Sequence, residues 1–201
     1  MASITVRAAA AVGALVIGTT LAACGGSSTD AHAGHTTTTA QDSEVAKHNA
    51  DDVMFLQNMI PHHQQAVDMG TMVPSHTNNP DLLTLASEIQ RDQLGEITAF
   101  QGYLTQWDQP TQADHMGHAD MGISGMVDPN TMNRLQSLHG ADFDKLWMQS
   151  MIGHHQGALA MAQQEITHGQ NRDTISMARL IITTQQREID YMKHLLGQAR
   201  Q

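Results

Sequence analysis

The twelve residues MIPHHQQAVDMG that begin at Met59 return almost unchanged as MIGHHQGALAMA from Met151. Shifted by 92 positions, the chain lies over itself without a gap. Asp52 falls on Asp144, Gln57 on Gln149, His62-His63-Gln64 on His154-His155-Gln156, Met69 on Met161, Asn79 on Asn171, Gln93 on Gln185 and Glu96 on Glu188. About eighteen identities in roughly fifty positions mark an internal repeat. Each copy reads as two long amphipathic helices. The first helical pattern runs from about Ser43 to Val73, and Pro74 to Asn79 breaks it. The second starts at an Asn79 cap and a first-turn Pro80 and reaches about Trp107. A short helix from Asp128-Pro129 to near His139 precedes the second copy. There, one helix covers about Ala141 to His168 and ends at Gly169, and another runs from Arg172, capped by Asn171, to the C-terminus. No segment alternates as a strand would. One such hairpin alone leaves its apolar stripe wet. Two of them close most simply into a four-helix bundle, an all-α fold.

A helix turns about 100° per residue, which puts Phe55, Met59, His62, Ala66 and Met69 on one stripe with His63 on its flank. The second copy gives Trp147, Met151, His154, Ala158 and Met161, with His155 on the flank. The partner helices present Leu82, Leu85, Ile89, Gln93, Glu96 and Phe100, and then Met177, Ile181, Gln185, Glu188 and Met192. His62 and Glu96 thus both face the core, and buried polar groups need partners. Two His and two Glu at matching levels are expected to meet inside the bundle. One reading is a satisfied polar layer in a methionine-filled core. The other is a metal site in which Glu96 and Glu188, with Gln93 and Gln185, stand behind the histidines and fix their tautomers. Pro61 and Gly153, both poor helix-interior residues, precede the two His pairs and suggest a kink at each.

The first residues do not belong to this bundle. Arg7 is the only charge before a run of small and apolar residues from Ala8 to Ala23, too short for a comfortable membrane span but suited to a signal peptide. Leu21-Ala22-Ala23-Cys24-Gly25 resembles a bacterial lipobox, so residues 1–23 are read as a cleaved leader and Cys24 as lipidated. The rest of the organisation follows: a tether over 24–41, the first hairpin over 42–107, a linker with the short helix over 108–140, and the second hairpin over 141–201. The expected location is the bacterial cell envelope, outside the cytoplasm and anchored to the membrane by lipid. Cys24 is the only cysteine, so the mature chain offers no disulfide and no free thiolate. The formal net charge of -10 disfavours nucleic acid and favours cations; the sequence names no protein partner.

Composition then points to the kind of cation. The chain has 14 Met and 13 His against 3 Phe, 2 Trp and 2 Tyr. The linker segment DHMGHADMGISGM sets His115, Met116, His118, Met121 and Met126 at short spacings. Without thiolates, thioether and imidazole are the ligands left for Cu(I), and thioethers discriminate against Zn, Ca and Mg. The two HH motifs, the Gly- and Met-rich linker, FDKLW from Phe143 and QREIDYM from Gln186 resemble the DUF305 family over about Ala46 to Gly197. That resemblance, to a family that includes CopM-type periplasmic copper-binding proteins with a ferritin-like helical fold, implies Cu(I) binding and copper tolerance. Carried over by position, it implies Met59, His62, His63 and Met69, then Met151, His154, His155 and Met161, together with the linker methionines. The expected function is Cu(I) binding, with Ag(I) as a second ion, for buffering or tolerance, and not an enzyme activity. Two other readings stay open: a ferritin-like di-iron or di-manganese oxidoreductase, for which no Glu-x-x-His of the right register is present, and a metal-free structural or partner-binding lipoprotein.

Overall fold

The computed structural model describes residues 47–111 and 123–198. The leader, the tether with Cys24, and His115, Met116, His118 and Met121 of the linker lie outside the described residues. Five helices follow in order: α1 (Ala50–His76), α2 (Pro80–Gln106), α3 (Pro129–Ser137), α4 (Gly140–His168) and α5 (Arg172–Gln198). Among the described residues there is no strand, and no helix is long and apolar enough to cross a membrane.

Local chemistry sets the helix limits. At α1, the Asp52 N–H donates to Asn49 Oδ1 (2.9 Å) and the Asn49 N–H to Asp52 Oδ2 (2.6 Å), a capping box that starts the helix at Ala50. The expected break at Pro74 does not occur; α1 continues to His76. Pro74 stands in the last turn, where its missing N–H forfeits a single helical bond. That turn is held instead by the Thr77 N–H donating to the Val73 carbonyl (3.2 Å) and Ser75 Oγ to that of Met72 (2.9 Å). Helix also runs unbroken through Pro61 and Gly153.

α1 packs on α2, α4 on α5, and α1 against α4 through the middle of the bundle, while α3 lies across α1 and α4. α2 and α5, the fourth side, stand farther apart and meet through side chains. α1 and α4 run antiparallel, so two apolar clusters form, one toward each end. The first joins Met69, Val73, Leu82, Leu85 and Ile89 to Phe143, Trp147, Met148, Met151 and Met192. The second joins Phe55, Leu56, Met59, Phe100 and Leu104 to Ala158, Ala162, Ala178 and Ile181. Each cluster takes one end of each hairpin, so the copies exchange places about an approximate twofold axis.

The repeated Asp and Asn residues clasp the hairpins together. Asp52 accepts hydrogen bonds from the backbone N–H of Gln170 and of Asn171 and from Thr174 Oγ1 (3.0 Å each to Oδ1), at the start of α5. At the other end, Asn79 Nδ2 donates to Asp144 Oδ2 (2.9 Å). Burial alone would raise the Asp52 carboxyl; hydrogen bonds from Asn49, Asn171 and their neighbours outweigh it and hold the group below its usual range.

The linker is pinned to α1 where it leaves and where it returns. Gln57 Nε2 donates to the Pro110 carbonyl (2.8 Å). Gln65 pairs with Val127 as one peptide pairs with another, accepting from its N–H (2.7 Å) and donating to its carbonyl (2.9 Å). Residues 123–127 then press on α4. Gly125 takes a φ of +83°, and a Cβ built on Gly157 would stand 2.1 Å from the Ser124 carbonyl oxygen. Two glycines are required at this crossing of backbones.

Two alanine substitutions should therefore have opposite signs. A Cβ on Gly153 meets nothing within 4 Å, so Gly153→Ala should stabilise the chain by about 0.5–1 kcal/mol in urea unfolding. Gly157→Ala should destabilise it by about 1–3 kcal/mol, because neither backbone can give way cheaply.

Candidate functional site

A polar layer lies between the two apolar clusters, where α1 crosses α4. All four histidines of the repeated pairs are completely buried, the flank positions as much as the stripe positions. The rings of His62 and His154 stack on one another, with centroids 3.7 Å apart. His63 Nε2 shares a hydrogen bond with Glu96 Oε2 (2.7 Å) on α2, and His155 Nε2 with Glu188 Oε2 (2.6 Å) on α5. The stripe geometry had set Glu96 level with His62. The structure pairs it with the flanking His63, because the axial residue, His62, meets its counterpart instead. Gln93 and Gln185 are buried one turn before the two Glu residues.

Much of this layer is unsatisfied. Both ring nitrogens of His62 and of His154, and the Nδ1 of His63 and of His155, are buried without a well-aligned hydrogen-bond partner among the described residues, although the backbone of Ser124 and of His154 acts on His62 and that of His62 on His154. So are Oε1 of Gln93 and both amide atoms of Gln185. Each such group costs about 1–3 kcal/mol relative to a bonded one. Burial, and then the neighbouring His63 and His155, push the His62 imidazolium down to about 3. Burial and His155 do the same to His63, against the pull of Glu188. His154 is held well below its ordinary value by burial and the other three rings. Glu96 is raised to about 7 by burial, Glu188 and Asp92. Near neutral pH the rings of His62, His63 and His154 are thus uncharged. With Nε2–H given to the carboxylate, the Nδ1 lone pair of His63 and of His155 is left open.

The methionines divide by the same symmetry. Met69 and Met151 lie in one apolar cluster; Met59 lies in the other, with Met161 packed against it. Each side of the layer is therefore bordered by the methionine three residues before one His pair and the one seven residues after the other. Of the linker residues, Met126 is the one described, and it is exposed beside the pinned Val127. Among the described residues, no three His, Asp or Glu side chains already converge on a common point as ligands of one ion. The carboxylates are dispersed: Asp52 and Asp144 serve the clasps, and Glu165 lines a separate cavity of about 200 Å³ with Asp51, Met54 and Met161. Burial pushes Glu165 up to about 8, with the nearby Asp52 adding to it. Of the described carboxylates, Glu96 and Glu188 reach the layer, where a di-iron bundle brings a carboxylate from each of four helices.

Sequence reasoning missed the stacked pair on the axis, and it missed the 123–127 segment across α4. The second had a signal. Gly157 stands where the first copy has Gln65, and these two residues hold that segment, one by a bond and one by yielding space.

The sequence profile of the DUF305 family, a domain of unknown function, matches residues 52–196. Three solved structures show the likeness in three dimensions. A DUF305 protein from Streptomyces coelicolor is 29% identical, with a TM-score of 0.69 over 74% of this chain and 93% of that one. A DUF305 fragment from Deinococcus radiodurans is 27% identical, with a TM-score of 0.68 over 75% and 97%. CopM in its Cu(II)-bound form is 32% identical, with a TM-score of 0.64 over 73% and 96%, and CopM is also known in Cu(I)- and Ag-bound forms. No curated protein matches the sequence.

The buried rings predict a specific acid sensitivity. The unfolded chain protonates histidine at its ordinary 6.5, whereas folded His62 does so near 3. Across that interval the unfolded state binds more protons, and stability falls as pH falls. Between pH 6.5 and 5 each such histidine removes roughly 2 kcal/mol. His62→Leu/His154→Leu should flatten this acid limb in urea titrations at a series of pH values. Glu96 and Glu165 act in the opposite sense, costing stability as pH rises from 4.5 toward 7 and 8, and that limb should persist in the double variant.

Proposed function

The chain belongs to the DUF305 family, and we propose that it binds copper, chiefly Cu(I), and also Ag(I), to hold or pass on the ion outside the cytoplasm. One observation carries the reading. The rings of His62, His63 and His154 are buried and uncharged, their ring nitrogens other than His63 Nε2 have no well-aligned hydrogen-bond partner among the described residues, and the buried Nδ1 of His155 likewise has none. A polar layer kept only for packing would leave this many groups unsatisfied at a cost the fold has no reason to bear. Each neutral ring has one lone pair, and an ion accepting it removes the acceptor half of that cost. Neutral imidazole needs no proton displaced before it coordinates, so binding does not compete with protons until well into the acid range.

The ligand types favour a soft ion. Imidazole suits copper in either oxidation state, and thioether selects Cu(I) and Ag(I). The assignment is two or three methionine sulfurs with a histidine nitrogen per ion. Met69 and Met151 serve one side of the layer, and Met59 and Met161 the other. Glu96 and Glu188 stay on the far nitrogens of His63 and His155, orienting the rings and raising their basicity. His115, Met116, His118, Met121 and Met126 of the linker add further soft ligands. CopM, bound to copper and to silver in its structures, supports the choice of metal. The cellular location is the envelope, with residues 1–23 as leader and Cys24 as lipid anchor. The Streptomyces coelicolor relative, described as a candidate secreted protein, supports a place beyond the cytoplasm. The protein is a carrier or buffer of the ion and not an enzyme.

Anaerobic competition against a chromophoric Cu(I) chelator tests this. Methionine to leucine nearly conserves core volume. Met59→Leu/Met151→Leu should therefore keep the fold by circular dichroism while weakening Cu(I) binding at least about tenfold, the loss of roughly 1.4 kcal/mol of ligand preference. Met116→Leu/Met121→Leu/Met126→Leu should lower the number of ions bound and leave the tightest in place. If Met59, Met151, His62 and His154 can be replaced together with unchanged affinity, the assignment is wrong. Iron or manganese retained after aerobic purification would replace the reading with a di-metal one.

A further inference from the structure

The copper reading places the ion among side chains that are fully buried, so the ion needs a way in. One face of the layer is shut. α1 and α4 pack directly on each other there, and residues 123–127 lie across α4, held by Gln65 and by the contact of Gly125 with Gly157. The opposite face is the side on which the backbones of α2 and α5 stand farther apart. A groove of about 410 Å³ opens between them, lined by Asp92, Gly95, Glu96 and Ala99 of α2 and by Met177 and Leu180 of α5.

Glu96 belongs to both places. It lines the groove, and its Oε2 is 2.7 Å from His63 Nε2. A cation that reached this carboxylate would be one residue away from the open nitrogens of the layer. The lining is acidic at Asp92 and Glu96, and Glu188, outside the groove, also acts on Glu96 through its charge. Arg91, also in the lining, is tied to Asp92 by an ion pair (3.0 Å).

The approximate twofold axis provides an internal comparison. Glu96 and Glu188 are equivalent, but their surroundings differ. Gly95 and Ala99 stand where the second copy has Arg187 and Tyr191. A Cβ on Gly95 would meet nothing within 4 Å. The Glu96 side chain is 25% exposed and the Glu188 side chain 13%. The groove therefore forms where the first copy lacks two large side chains.

We propose that the α2/α5 groove is the passage by which a small cation enters and leaves the histidine layer, with Glu96 as the carboxylate it meets first and Gly95 and Ala99 as the residues that keep the passage open. The proposal rests on the copper reading and adds a direction to it. A passage controls rates, whereas the ligands control affinity, and this difference makes it testable.

The variant Gly95→Arg/Ala99→Tyr gives the first copy the side chains of the second at two exposed positions. Cu(I)-loaded protein is mixed anaerobically with excess chromophoric chelator in a stopped-flow instrument, and affinity is measured separately by equilibrium competition. The release rate should fall at least about tenfold while affinity stays within about threefold. Arg187→Gly/Tyr191→Ala, which opens the second side, should speed release. If the double variant does not give the circular dichroism of the parent, Ala99→Tyr alone is held to the same thresholds. Release within twofold of the parent in a folded blocked variant overturns the passage while the copper reading stands. Loss of affinity with an unchanged release rate also overturns it. A parent protein that takes up no Cu(I) removes the reading and the passage together.

Discussion

Four imidazoles buried at the crossing of two helices are the constraint to which the rest of this bundle answers. A ring that cannot reach water must be fixed by what surrounds it. Here the surroundings are two carboxylates, two glutamines and a second ring. The stack of His62 on His154 fixes how α1 meets α4. The bonds from His63 to Glu96 and from His155 to Glu188 fix how each of those helices meets its own partner. The apolar clusters on either side supply the cohesion that offsets an under-satisfied middle. The Asp52 and Asp144 clasps close the two ends, where a slip between hairpins would begin.

Such a layer favours methionine around it. A core built from Phe and Leu sits in sharply defined rotamers and resists any local shift. Methionine is unbranched and polarisable and fills a gap whose shape changes. Met59, Met69, Met148, Met151 and Met192 all lie in the apolar clusters next to the histidines. Of the few aromatic residues, Phe100 meets His63 edge to face (centroids 5.2 Å), and Trp147 spends its indole N–H on the Met69 carbonyl (2.9 Å). The composition of the core thus suits a centre whose side chains must turn toward an ion when one arrives.

The fold was legible in the sequence because its signals are local and doubled. Asn79-Pro80 and Asn171 announce helix starts through their own backbone chemistry, and the repeat supplies the number of hairpins. The Pro74 break was misread because a proline removes one helical N–H without having to end the helix, as at Pro61, and here the last turn closes through the bonds of Ser75 and Thr77. In the site, the participants could be read but their pairing could not. A helical wheel orders residues around one axis. It does not say how far two such axes are rotated against each other, and that rotation gives Glu96 to His63 and His62 to His154. Gln65 and Gly157 were invisible for another reason: they act on a segment distant in sequence, and only their failure to match each other hinted at a separate task.

The approximate axis through the His62–His154 stack has one more consequence. A contact in which a residue meets its own equivalent is what a symmetric dimer makes of a single surface. This chain has the architecture of such a dimer with its two halves joined by a linker. Joining them keeps the partners at high effective concentration, so the association no longer depends on how much protein is present. It also frees each half from having to serve both roles. A change in a true dimer appears twice and must be tolerated twice. In the fused form Gly95 and Arg187, or Gln65 and Gly157, can part company, and a centre assembled by symmetry acquires a front and a back.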